Sequence, residues 1–478
     1  MKRIAVIGGG IAGLAAAYRL CELQKEKSLD LEVILFEAGA RLGGSIATEK
    51  IDDFLIEAGP DSFITEKPAA LQLCQRLGLT PRLVSTQSAN QKIHVVRSGK
   101  LVELPEGFFL LAPTQLGSFL GTSLFSWPGK LRMAAELFLP RGENDGDESL
   151  GSFVRRRFGR EALERVAQPL VGGIYASDPE QLSLTATMPR FKDLERQYRS
   201  VTYGMWSAQR ARAQNRESGS GARWSLFVTL EGGMQELVDT LAQQLAKNSV
   251  RLNSAAEKLS EDKTTSGWRL ELKTGEVVAA DAVVLATPAF QTSAILKTLA
   301  SDAANELGRI SYASTATISL AYRRENLSRL PKSFGFVVPA IENRKIMACT
   351  FSSLKYPGRA PEGHVLLRAF IGGSLQPELF KQDDESMENN VRNELAKLLG
   401  VTAKPLLSRI WRHANSMPQY HIGHIERIKK IENLLARFSN LALAGSAYHG
   451  VGISDCVSTG QKAAESLVSY FARNAAAI

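Results

Sequence analysis

The chain has 478 residues, 44% of them apolar and 22% charged, the composition of a soluble globular protein too long for one simple core. Its net charge of +9 comes without a nucleic-acid recognition motif, so DNA and RNA are excluded as partners and a polyanionic small molecule or an anionic lipid surface suits the charge instead. Four scattered cysteines with no CxxC pair, and six histidines with no HExxH spacing, exclude a disulfide framework and predict no metal site.

The first element is set by residues 4–14, IAVIGGGIAGL. A β-branched strand runs into Gly8-x-Gly10-x-x-Gly13 and then into a helix, AGLAAAYRLCEL. Gly8 permits the tight turn, Gly10 lets backbone approach a pyrophosphate, and Gly13 lets helix and strand pack closely. The helix N-terminus offers free N–H groups and a positive dipole end, so Gly8, Gly9, Gly10, Ile11, Ala12 and Gly13 are the candidate phosphate contacts. A second strand, LEVILFE, ends at Glu37, where a carboxylate would take the ribose hydroxyls of an adenosine half. AGARLGGS follows over residues 38–45, and such an Arg-x-Gly-Gly continuation marks flavoproteins of the two-dinucleotide-binding type. The expected cofactor is therefore FAD. Only a short strand precedes the glycine turn, which leaves no room for an export signal, and a cytoplasmic location is expected.

Behind FLIEAG comes PDSFITEK, which local chemistry alone reads as a surface turn. Residues 107–129 form the longest uncharged stretch, but Pro113, Pro128 and several glycines exclude a spanning helix. Buried helices, or a surface dipping into a membrane interface, both fit it. Between residues 190 and 223 eight Lys/Arg stand against three Asp/Glu, and the breaker-rich end QNRESGSGAR reads as a solvated loop. FVTLEGGMQEL supplies another Gly-Gly turn and an amphipathic helix, and WRLELKTGEVVAADAVVLATP a hairpin about Thr274-Gly275 followed by a buried strand. Strands such as ATISLAYRR and HVLLRAFIGG suit an antiparallel sheet, and residues 441–468 read as strand, glycine turn and helix. That last turn brings a second helix N-terminus to the isoalloxazine end. The expected fold is α/β: a discontinuous Rossmann-like FAD unit over 1–90, 225–300 and 405–478, a mainly helical unit over 91–215, and a β-sheet substrate unit over 300–405.

IGGGIAGLAAAYRL, EAGARLGG, AGPDSF, GGIYASDPEQLSL, LEGGMQEL, TFSSLKYPGRAPEG, MPQYHIGH and GVGISDC occur together and in this order. As a set they resemble the protoporphyrinogen/coproporphyrinogen oxidase family of haem biosynthesis over essentially the full chain, on the side of the bacterial coproporphyrinogen-oxidising type. The resemblance implies an amine-oxidase-like fold and an FAD enzyme that oxidises a porphyrinogen in three two-electron steps, with O2 as acceptor and H2O2 released. It also implies a large apolar slot for the macrocycle, with no obligatory strong base. Peripheral membrane contact and hand-over to the next haem-pathway enzyme are further implied partners.

Carried onto this chain, the family pattern puts Gly8, Gly9, Gly10, Ile11, Ala12 and Gly13 on the pyrophosphate and Glu37 on the ribose. Arg41 and Ser45 would run along the cofactor, Ala256 would offer backbone to adenine, and Gly59, Pro60, Asp61 and Ser62 would lie at the flavin. Trp411, Val451, Gly452 and Ile453 would close that site. Val337, Thr350 and Phe370 would form the substrate wall. Asp61 would accept pyrrole N–H groups and Lys67 would pair with a propionate, making them the candidate catalytic pair. Ile93 stands where plant-type relatives carry a propionate-binding Arg, which favours coproporphyrinogen III over protoporphyrinogen IX; Ser177 replaces a glycine common in relatives. A flavin amine oxidase, with Tyr448 in an aromatic pair facing the flavin, and a non-catalytic flavin- or porphyrin-binding protein are the alternatives.

Overall fold

The computed structural model describes residues 1–105, 108–109, 112–113, 116–142, 146–216, 225–265 and 267–475. A five-stranded parallel sheet forms the cofactor unit, in the order Val250–Arg251, Leu31–Phe36, Lys2–Ile7, Ala282–Leu285, Leu441–Leu443. Its central strands are apolar on both faces, as a parallel sheet covered on both sides requires. Ile4 and Val6 point into one core with Leu14, Leu20 and Val457, while Ala5 and Ile7 point into another with Trp268, Leu270 and Leu296. The first core lies under helices Ile11–Glu26 and Ile453–Ala475, which cross closely: a β-carbon on Gly460 would lie 2.2 Å from the Ala12 carbonyl oxygen. An antiparallel meander, Ala256–Asp262, Gly267–Leu272 and Val277–Ala280, contributes to the second core, and the expected hairpin turns at Gly275 (φ +85°). Strands from 1–90, 225–300 and 405–478 enter this sheet.

The second large sheet has seven strands, in the order Leu407–Pro418, Tyr312–Arg323, His364–Gly372, Ala348–Phe351, Gly335–Val337, Ile93–Arg97, Lys100–Glu103. Every pairing is antiparallel except that of Gly335–Val337 with Ile93–Arg97. It is wider than the 300–405 segment: it recruits 93–103 from the stretch expected to be mainly helical and 407–418 from the stretch assigned to the cofactor unit. The recruited strands pair with Tyr312–Arg323 on one side and Gly335–Val337 on the other, so these two strands lie inside the sheet and not at its rim. One face packs Ile318, Leu320, Leu367, Ala369 and Phe351 against helix Asp384–Leu399. The other face points toward the cofactor unit.

Helices from Leu116 to Arg216 make the third unit around Phe119, Phe153, Val154, Leu163 and Leu182. At its centre the fully buried Arg157 guanidinium donates to Glu136, whose carboxylate also takes Ser200 Oγ (2.7 Å) and the Val201 N–H (2.8 Å). Part of the basic segment expected as a loop is helix Val201–Arg216, while 217–224 lie outside the described residues. In and just after the long uncharged stretch, helices Leu116–Gly121 and Trp127–Ala134 leave Leu120, Trp127 and Leu131 exposed, and Phe138 is exposed further on. Among the described residues no helix is long and apolar enough to cross a membrane.

Candidate active site

The glycine turn has the shape its sequence requires. Gly8 takes φ +108°, and a β-carbon there would sit 2.7 Å from the Ala286 carbonyl oxygen; one on Gly13 would sit 1.9 Å from that of Gly8. One on Gly10 would enter open space, with nothing within 4 Å. Helix Ile11–Glu26 begins there with no side-chain cap and no acid in its first turn, so its leading N–H groups and positive end face that space. This cradle fits the pyrophosphate of a dinucleotide. Beside it the Glu37 carboxylate accepts the N–H groups of Gly9 and Gly39, both at 2.7 Å. Main-chain bonds from Asn253 to Gly39 (3.0 Å) and from Ser254 to Glu37 (2.8 Å) lead straight into Ala256, so the expected adenosine-end residues come together. Arg41 turns back on its own loop, donating to the carbonyls of Gly44 (2.6 Å) and Ile46 (2.8 Å), while the Gly43 N–H reaches the Gly9 carbonyl (2.8 Å).

Residues 58–62 lie where this loop meets the large sheet. Gly59 is pressed against Ser45: a β-carbon there would lie 1.8 Å from the Ser45 carbonyl oxygen. The Ala58 carbonyl accepts Thr317 Oγ1 (2.8 Å) and His413 Nε2–H (2.9 Å), and Arg368 Nη2 donates to the Gly59 carbonyl. Asp61 receives Lys355 Nζ on both oxygens (2.9 and 3.1 Å) and Ser62 Oγ on Oδ1 (2.8 Å). Burial alone would raise this carboxyl, but Lys355 and Arg368 outweigh it and hold Asp61 well below the usual carboxylate range. Burial pushes neighbouring Glu57 up, against bonds from Thr48 Oγ1 (2.7 Å) and the Met234 N–H (2.8 Å). Burial also lowers His413, against the bond to the Ala58 carbonyl, which raises it.

The three wall candidates and Trp411 sit on one face of the large sheet. Registered pairs put Trp411, Thr317, Phe370, Ala348 and Val337 in one row across five strands, with Ser319, Arg368, Thr350 and Gly335 in the row beside it. Directly opposed residues of a sheet share a face, so Val337, Thr350, Phe370 and Trp411 line the same side as the 58–62 turn. Trp411 is half-buried against Phe54 and Ile56, and Val337 packs on the helical unit together with Val451.

Lys67 stands apart from this row. Its ammonium holds both oxygens of Asp455 at 2.8 Å, tying the 60s loop to the first turn of Ile453–Ala475. Asp455 also accepts the Gly452 N–H (3.2 Å), so Lys67, Val451, Gly452 and Ile453 form one cluster. Tyr420 supports it from below: its hydroxyl donates to the Ser446 carbonyl (2.6 Å) and accepts the Gly450 N–H (2.8 Å), and its ring stacks on His424 at 3.9 Å. Tyr448 is a core residue, buried in the cluster that holds Trp268 and Phe438. Ile93 heads its strand opposite Gly335, and neighbouring Lys92 pairs with Glu103 at 2.9 Å. Ser177 is buried with no hydrogen-bond partner for its hydroxyl among the described residues, and nothing in the structure explains the choice of serine there.

Sequence reasoning passed over Lys355, Arg368, Thr317, His413 and Asp455. Two of them carried a signal: Arg368 is a lone charge inside the apolar strand HVLLRAFIG, and Lys355 lies in the quoted run TFSSLKYPGRAPEG. A buried charge of that kind demands a partner.

The chain matches the model of the flavin-containing amine oxidoreductases over residues 11–468. It is 36% identical to a coproporphyrinogen III oxidase of Bacillus subtilis (strain 168) across 98% of both chains. It is 28% identical to a chloroplastic/mitochondrial protoporphyrinogen oxidase 2 of Arabidopsis thaliana, across 98% of this chain and 94% of the relative. A solved structure from Exiguobacterium sp. 255-15 superposes with a TM-score of 0.85 at 32% identity, covering 98% and 99% of the two chains.

Proposed function

The chain belongs to the flavin-containing amine oxidoreductases, in the branch of the coproporphyrinogen III and protoporphyrinogen oxidases, and from that premise we propose that it oxidises coproporphyrinogen III in preference to protoporphyrinogen IX. Its cofactor is FAD. We assign Gly8, Gly9, Gly10, Ile11, Ala12 and Gly13 to the pyrophosphate, Glu37 to the ribose, the Ala256 backbone to adenine, and Arg41 and Ser45 to the run between them. Gly59, Pro60, Asp61, Ser62, Trp411, Val451, Gly452 and Ile453 border the flavin. Bound there, FAD supplies the two-electron sink for each of three oxidations of the ring, with O2 as final acceptor and about three H2O2 per porphyrin.

What carries the reading is the 58–62 turn, gripped at the meeting line of the cofactor loop and the sheet face that holds Val337, Thr350 and Phe370. A flat tetrapyrrole laid on that face would meet the Asp61 carboxylate, an acceptor matched to pyrrole N–H donors. Lys67 spends two of its three ammonium donors on Asp455, so a substrate propionate would take the third. The sheet and the helical unit hold the ring in place and exclude water, and positioning supplies much of the rate. No strong base is required, because imine–enamine rearrangement redistributes protons after each oxidation.

The test is aerobic turnover of the two porphyrinogens offered separately, read by porphyrin fluorescence with H2O2 counted alongside. A kcat/KM higher for coproporphyrinogen III by about tenfold or more is expected. A ratio reversed in favour of protoporphyrinogen IX would reassign the substrate, and fluorescence no faster than spontaneous oxidation with both would overturn the reading.

A further inference from the structure

The buried charges under the 58–62 turn are unevenly shared. Facing Asp61 are Ser62 from its own loop, Lys355 and Tyr356 from the Ser352–Lys355 helix and its end, and Arg359 just beyond. Arg368 faces it from the His364–Gly372 strand and Glu57 from the Phe54–Glu57 strand. Three cations thus surround two carboxylates, and one carboxylate, Glu57, is already engaged by Thr48 and Met234. Arg359 is turned away, donating to the Leu230 carbonyl (2.8 Å) and Thr229 Oγ1 (3.0 Å). Lys355 and Arg368 are left as the groups that set the state of Asp61. The Lys355 side chain is 15% exposed and that of Asp61 20%, while Arg368 is buried with its Nε unpartnered among the described residues.

The bonds to Asp61 leave acceptor capacity on one side. A carboxylate offers about four lone-pair sites. Ser62 and Lys355 occupy two on Oδ1, and Lys355 occupies one on Oδ2. The Arg368 guanidinium lies 4.8 Å over the Phe370 ring and shares a sheet row with Thr350, so the cluster is bolted to the substrate wall.

We propose that Lys355, assisted by Arg368, is a positioning residue that keeps the Asp61 carboxylate anionic and aimed so that its free Oδ2 lone pair accepts a pyrrole N–H of the bound tetrapyrrole. The inference rests on the porphyrinogen reading above. Lys355 itself touches no substrate; it acts through Asp61. Removing its charge leaves a carboxyl in a desolvated place with less to hold the proton off, so Asp61 takes up a proton closer to neutral pH and loses its acceptor character toward a donor.

The experiment measures, on the FAD-loaded enzyme between pH 5 and 8, kcat/KM for coproporphyrinogen III and equilibrium binding of the product coproporphyrin III by fluorescence quenching. The variants are Lys355→Met, Lys355→Arg and Asp61→Asn. The wild type is expected to be flat in both quantities over this range, and Lys355→Arg to keep that flat profile. Lys355→Met is expected to lose about tenfold or more at pH 5 relative to pH 8, because a carboxyl that titrates about one unit above pH 5 is only about one-tenth ionised there. Asp61→Asn is expected to be weak at every pH, with no acid limb. An equal loss at all pH values in Lys355→Met, or product binding by Asp61→Asn as tight as in the wild type, would overturn the proposal. The second result stands even if Lys355→Met fails to fold. A wild type that oxidises neither porphyrinogen would defeat the functional reading instead, so the two failures are distinguishable.

Discussion

A methyl group at position 59 would collide with backbone, the Ser45 carbonyl carbon and oxygen at 2.8 and 1.8 Å, and backbone cannot swing aside as a side-chain end can. Gly59→Ala therefore has to push the cofactor loop away from the turn that carries Asp61, an overpacking cost of about 1–3 kcal/mol. The expected outcome is a lower flavin-to-protein absorbance ratio and a lower melting temperature; a yellow variant melting with the wild type would show that the two loops can separate freely. Gly10 is the opposite case, because a β-carbon there meets no protein atom at all and the space is open for a ligand. Both glycines look alike in the sequence. Gly10 announced itself through its motif spacing, whereas the demand on Gly59 comes from Ser45, and local composition does not reveal that close approach.

The MPQYHIGH segment shows the same division at the scale of an element. Its role is to brace the glycine turn before the Ile453–Ala475 helix, through the Tyr420 hydroxyl and the stacked His424 ring. His424 is 1% exposed, its Nε2–H donates to the Tyr448 carbonyl at 3.3 Å, and burial pushes its pKa down to about 4. The sign follows from that direction. The unfolded chain protonates this ring near its ordinary value of about 6.5 and the folded chain only near 4, so below 6.5 the unfolded state binds more protons and stability falls. The loss grows as pH drops from about 6.5 to 4 and is then complete, at about 3 kcal/mol. Thermal melts across pH 4–8 should show this slope, and His424→Gln, which keeps a donor and cannot charge, should flatten it. An unchanged slope in the variant would assign the acid sensitivity elsewhere. His421 and His424 read as loop polar groups in the sequence; the stack makes His424 a core group, because the partner ring lies four residues earlier and only the folded turn brings the two face to face.

At the scale of the molecule, strand patterns made the parallel sheet legible from residues 4–7, 31–37 and 281–288, since continuous apolar runs between glycine turns admit few other readings. The wall was legible as a set of strands. Its rows were not, because register depends on pairings such as Thr317 with Phe370 and Trp411 that no single strand encodes. The units are also less separate than segment boundaries suggest. The helical core contains Val95, from a strand of the large sheet, and Tyr420, which braces the glycine turn before Ile453–Ala475, with Val337 and Val451 packed against it. The cofactor unit in turn needs chain from both ends, since Leu441–Leu443 is its edge strand and Ile453–Ala475 covers Ile11–Glu26. A unit whose core is completed by residues of another loses those contacts when the other unfolds, so its own stability drops at the same moment. Calorimetry of the loaded protein should therefore show one transition, moved upward by excess FAD because the cofactor binds the folded chain alone. Two resolved transitions, with FAD shifting just one of them, would mean that Val95 and Tyr420 are dispensable to the helical core and that it folds by itself.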